Sequence, residues 1–65
     1  MIADRIRELR KTKGWTQQQL AEKTRLSFNA ITKIEQGLAK SPTLNTLTKL
    51  ADVFSVGLDE LVGRK

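Results

Sequence analysis

The stretch Thr16-Gln17-Gln18-Gln19-Leu20-Ala21-Glu22-Lys23-Thr24-Arg25-Leu26-Ser27-Phe28-Asn29-Ala30-Ile31-Thr32-Lys33-Ile34-Glu35-Gln36-Gly37 reads as two short helices joined by a tight turn. On a helical wheel of roughly 100° per residue, Ala30, Ile31 and Ile34 fall within about one third of the circle. Phe28, Asn29, Thr32, Lys33 and Gln36 occupy much of the remainder. That outer face offers an aromatic ring, an amide, a hydroxyl and an ammonium, the groups that read base edges in the major groove of DNA.

Composition is consistent with such a partner. The chain has 65 residues, enough for a single small domain over residues 1–65 with one modest core. Twelve Lys and Arg against seven Asp and Glu give a net charge of +5 and a pI near 10.1, a balance that suits a polyanion. The sequence has no Cys and no His, so it has no thiolate metal site and lacks the commonest general base and metal ligand. With only scattered carboxylates besides, no catalytic set, metal site, cofactor or small-molecule ligand is expected. No apolar run approaches the ~20 residues of a membrane span and no signal peptide is visible, so the expected location is the cytoplasm.

Apolar residues recur at spacings of three and four throughout, and Gly and Pro punctuate them. A first helix is expected from about Ile2 to Lys13, with Ile2, Ile6 and Leu9 inward and Gly14 closing it in the left-handed conformation. Thr16 should cap the second helix in a capping box with Gln19, with Trp15 packing back before the cap. Ser27 should cap the third helix and Gly37 stop it. After the loop Leu38-Ala39-Lys40-Ser41-Pro42, Thr43 should cap a fourth helix whose buried stripe is Leu44, Leu47, Leu50, Ala51 and Phe54. A last short helix holds Leu58, Leu61 and Val62. Five helices with loops this short imply an all-α domain.

In order and spacing these pieces resemble the helix-turn-helix family of phage repressors and Cro proteins, also called XRE-like. The resemblance rests on Thr16-Gln17, Leu20-Ala21, Ile31 and Ile34, Glu35-Gln36-Gly37, Pro42 and Leu58-Asp59-Glu60-Leu61, and covers essentially the whole chain. It implies a five-helix, lambda repressor-like DNA-binding domain. It implies further that Gln17 binds a phosphate and braces the recognition helix, about residues 27–36. Phe28, Asn29 and Lys33 then lie where the family reads bases, with Thr32 and Ser27 at the margin. Thr16, Gln36, Lys40 and Thr43 lie where it meets the sugar–phosphate backbone, and Arg10 and Glu35 match a structural ion pair.

The chain departs from the family pattern at three places. Arg25 stands where the turn often has Gly, Ser55 where Gly often ends the fourth helix, and Gly57 where the next cap is often Ser. A left-handed Arg25 would carry a penalty of ~1 kcal/mol or slightly more.

The expected function is sequence-specific binding of double-stranded DNA, as a transcriptional repressor or regulator or as an isolated or engineered DNA-binding module. Base chemistry suggests Asn29 on adenine, Lys33 on guanine, and Phe28 or the Thr32 methyl on a thymine methyl. Lys33 could instead reach a phosphate, and Phe28 could fold back on the core edge. The alternative class is a protein-interaction module on the same fold, antitoxin-like or co-activating, which would more often show an apolar or acidic face. Any homodimer should be weak and form mainly on DNA, through the loop before Thr43 and the start of the last helix near Leu58, where the core claims most of the few apolar side chains.

Overall fold

Three of the helices start at a hydroxyl. The computed structural model describes residues 2–38 and 42–62, which form α1 (Ile2–Lys13), α2 (Gln17–Thr24), α3 (Phe28–Glu35), α4 (Leu44–Phe54) and α5 (Leu58–Leu61), with no strand among the described residues. Thr16 accepts from the Gln19 amide while the Gln19 side chain accepts from the Thr16 amide, a complete capping box. Ser27 accepts from the Ala30 amide and Thr43 from the Thr46 amide. Caps of this kind contribute ~1 kcal/mol each.

The first four helices end alike. Past each last turn stands a residue of positive φ: Gly14 (75°), Arg25 (61°), Gly37 (75°) and Ser55 (58°). At each, the left-handed residue's amide reaches back three residues and the next amide five, the paired bonds of a Schellman motif. After α2 these are Arg25 to Glu22 at 3.3 Å and Leu26 to Ala21 at 3.1 Å. Ser55 takes the left-handed conformation, and Gly57, extended at φ −75°, begins α5 without a side-chain cap.

Ile6, Leu20, Ala21, Ile31, Ile34, Leu50, Ala51, Phe54 and Leu61 form the core, flanked by half-buried Ile2, Leu9, Trp15, Leu26, Leu47, Val53 and Val56. α3 packs on α1 and α2, α2 also on α4, and α5 on α4 and α1. Trp15 packs back with its ring stacked on Phe54, centroids 5.8 Å apart, and the Lys23 ammonium lies 4.8 Å from the Trp15 ring centroid. Thr24, which the pattern does not single out, is buried and satisfied by donating to the Leu20 and Ala21 carbonyls.

Two expectations about the apolar stripe are corrected. Leu44 continues the periodicity of α4 yet is 67% exposed, while Leu47, one turn on, is half-buried against the core. In α5 only Leu61 is buried; Leu58 and Val62 remain 40% and 36% exposed, since a single turn directs one side chain fully inward. The core therefore claims Leu61 but leaves much of Leu44, Leu58 and Val62 exposed.

Arg25→Gly and Ser55→Gly are each expected to stabilise the domain by ~0.5–1 kcal/mol. The relief of left-handed strain exceeds the added chain entropy of Gly. Thermal melts should move up by a few degrees per substitution. Gly37→Ala, where a Cβ would meet nothing within 4 Å, should lower the midpoint by backbone strain alone. A lower midpoint for Arg25→Gly would contradict this reading of the turn.

Candidate nucleic-acid interface

α3 is held from behind by its last residue. Glu35 is 2% exposed, and its carboxylate takes a two-pronged pair from Arg10, Nε to Oε2 at 2.7 Å and Nη2 to Oε1 at 3.0 Å. Gln17 Nε2 adds a third donor to Oε1 at 3.1 Å. Arg10 spends its remaining prong on the Trp15 carbonyl at 2.9 Å. One carboxylate thus joins the end of α3 to α1, to the loop before α2 and to the first turn of α2. Burying such a charge is costly unless every lone pair and proton is used, and no buried side-chain polar atom among the described residues lacks a partner.

With Ile31 and Ile34 buried and Glu35 clamped, the other side of α3 is left open. Phe28, the exposed aromatic of the described residues, is 45% accessible. Asn29, Lys33 and Gln36 are exposed, while Thr32 is only half-exposed and donates its hydroxyl to the Asn29 carbonyl at 2.9 Å. An open groove of about 380 Å³ runs beside this face, lined by Ser27, Asn29, Ala30, Lys33, Ile34, Pro42, Thr43 and Thr46. The face therefore divides in two: Asn29 and Lys33 border the groove, and Phe28 and Thr32 lie off it.

The residues expected at a phosphate backbone differ in what they have left to donate. Thr16 and Ser27 are used as acceptors by their caps, which leaves each hydroxyl proton available. Thr43 donates its own to Thr46 at 3.0 Å. Gln17 spends one amide proton on Glu35 and retains the other. Gln36 is exposed as the residue that closes α3. Lys40 lies outside the described residues. The Gln17–Glu35 bond carries no local sequence signal, since its partners lie eighteen positions apart and meet only once α2 and α3 are packed.

Residues 6–61 match the helix-turn-helix family model. The chain belongs to this family, the one that includes the phage repressors its sequence resembles. It is 34% identical over its full length to the HTH-type transcriptional regulator SinR of Bacillus licheniformis, of which it covers 59%. It is 38% identical over its full length to the HTH-type transcriptional regulator AnsR of Bacillus subtilis, covering 55%. With the cryptic phage CTXphi transcriptional repressor RstR of Vibrio cholerae it shares 36% identity over 97% of its own residues and 55% of the relative's. The chain thus spans somewhat more than half the length of these curated relatives. No solved structure gives a significant match. No helix among the described residues is long and apolar enough to cross a membrane.

Arg10→Met or Glu35→Gln alone should cost ~3 kcal/mol, because each strands part of a buried polar network. A double-mutant cycle read by denaturant melts should return a coupling energy above ~1 kcal/mol. Coupling indistinguishable from zero would contradict the clamp.

Proposed function

We infer that the chain binds double-stranded DNA sequence-specifically and acts as a transcriptional regulator, most simply a repressor. α3 would enter the major groove and α2 lie across the backbone. The observation that carries this reading is the division of α3 into a locked inner face and an open outer one that presents an amide, an ammonium and an aromatic ring. The regulators and the phage repressor named above support it. Phe28, Asn29, Thr32 and Lys33 would read bases; Thr16, Gln17, Ser27, Gln36, Thr43 and Lys40 would hold phosphates.

A protein-interaction module is disfavoured by the chemistry of the face. Its one large apolar side chain, Phe28, stands among polar and basic neighbours, and the acidic residue of α3 is turned into the interior. The reading includes a weak homodimer formed mainly on DNA. Exposed Leu44, Leu58 and Val62 offer more apolar surface at the expected end than the sequence suggests.

Selection of bound duplexes from a random pool tests the proposal. It should enrich a defined half-site, repeated with two-fold symmetry about one helical turn away. No enrichment above the starting pool would contradict it. On the enriched site, Asn29→Ala and Lys33→Ala should each cost ~1–3 kcal/mol and flatten the preference among single-base variants, whereas Gln17→Ala should weaken all sequences alike. If each subunit neutralises ~3–5 phosphates, the log–log salt slope should be about −3 to −5 per subunit. Affinity independent of salt would count against the assignment.

A further inference from the structure

Among the described residues the chain makes the same left-handed turn four times, and glycine carries only two of them. Gly14 and Gly37 adopt it freely, whereas Arg25 (φ 61°) and Ser55 (φ 58°) adopt it with a Cβ crowding the backbone. Nothing in the turn after α2 needs an arginine. Its two bonds, from the Arg25 amide to the Glu22 carbonyl and from the Leu26 amide to the Ala21 carbonyl, are made by the main chain alone. Backbone strain that a glycine would relieve points to a task for the side chain.

That task does not lie within the domain. Of the four described arginines, Arg5, Arg7 and Arg10 each hold a carboxylate, and Arg25 holds none. Glu22 stands three residues back, yet the two form no salt bridge. The Arg25 side chain is exposed, at the foot of the recognition helix. Leu26 packs against the core, and on either side of it Arg25 and Ser27 are exposed. Ser27 caps α3 and keeps its hydroxyl proton. The walls of a DNA groove are sugar–phosphate backbones, so a cation beside an entering helix end meets phosphate oxygens, and the planar fork of guanidinium matches them.

Resting on the DNA-binding reading, we propose that Arg25 binds a phosphate at the edge of the groove that α3 enters, a contact that exists only in the complex while the strain that accompanies it is present in the free domain. The contact is this chain's own addition: where the turn has glycine, no side chain is there to make it. Stability and affinity therefore respond in opposite directions at one position.

The test uses the whole chain and the duplex enriched by selection. One phosphate contact contributes ~0.9 to the log–log salt slope, about eightfold in affinity between 1 M and 0.1 M salt. Arg25→Gly should melt above the parent, bind about eightfold more weakly at 0.1 M salt and flatten the slope by ~1. Arg25→Ala, which keeps the strain without the charge, should show the same loss of affinity and no gain in melting. Arg25→Lys keeps both and should hold the full slope. Ser55→Gly relieves the same strain at the turn into α5 and should raise the midpoint with affinity unchanged. Single methylphosphonates placed in turn along each strand locate the contact. At one phosphate per half-site the neutral group should weaken the parent and leave Arg25→Gly unaffected.

Unchanged affinity and slope in Arg25→Gly, with the site still bound, overturns the phosphate contact and leaves DNA binding standing. An altered preference among single-base variants in Arg25→Ala overturns it in favour of base reading. Failure to enrich any site overturns the reading on which it rests.

Discussion

The Glu35 carboxylate is the constraint on which the rest depends. It ends the recognition helix, lies almost wholly out of water and is held by Arg10 from α1 and Gln17 from α2. Alone, a charge in that position would oppose folding by several kcal/mol. Bound by three donors it fixes the rotation of α3 about its own axis, which hydrophobic contacts through Ile31 and Ile34 define less sharply because apolar packing has no direction. Rotation is what matters if α3 presents Phe28, Asn29, Thr32 and Lys33 to DNA, as we propose. The same burial removes a negative charge from the side of the molecule offered to a polyanion.

That logic extends to the other charges. Asp4 and Glu8 are paired along α1 with Arg7 and Arg5, and Arg5 also donates to the Glu60 carbonyl near the end of α5. Three of the seven acids are thus matched by nearby arginines. Lys11, Lys13, Arg25 and Lys33 make no salt bridge among the described residues and are exposed. Asp52, Asp59 and Glu60 sit on the last turns of the chain, in α4 and α5. These exposed cations lie on α1, on the turn after α2 and on α3, while three of the four acids without a salt bridge among the described residues lie on α4 and α5 and the fourth, Glu22, on α2.

What could be read from the sequence was whatever is decided within a few residues. Helix starts at Thr16, Ser27 and Thr43 and stops at Gly14 and Gly37 follow from one side chain or one backbone angle, and the residues name themselves. For Arg25 the sequence leaves the backbone open: the family's frequent Gly at that point suggests a left-handed turn, and its own side chain argues against it. Leu44, Leu58 and Val62 stay exposed against the apolar pattern because periodicity says which face a residue is on, not whether another element covers it. Thr32 illustrates the finer limit. Its position on the outer face was legible, but the turning of its hydroxyl onto Asn29 is a rotamer choice that sequence does not express. The bond between Gln17 and Glu35 spans eighteen positions and exists only once α2 and α3 are packed.

The central claim is that a clamp behind α3 leaves its opposite face, and the capped starts of α2 and α3, as the surface that meets DNA. Titration of the ¹⁵N-labelled chain with its selected duplex, followed by amide NMR, tests this most directly. The expected result is a set of shifts concentrated at residues 16–19 and 27–36, with the amides of α5 and the first turns of α1 unmoved. Shifts centred on α5, or uniform small shifts that track salt alone, would contradict it.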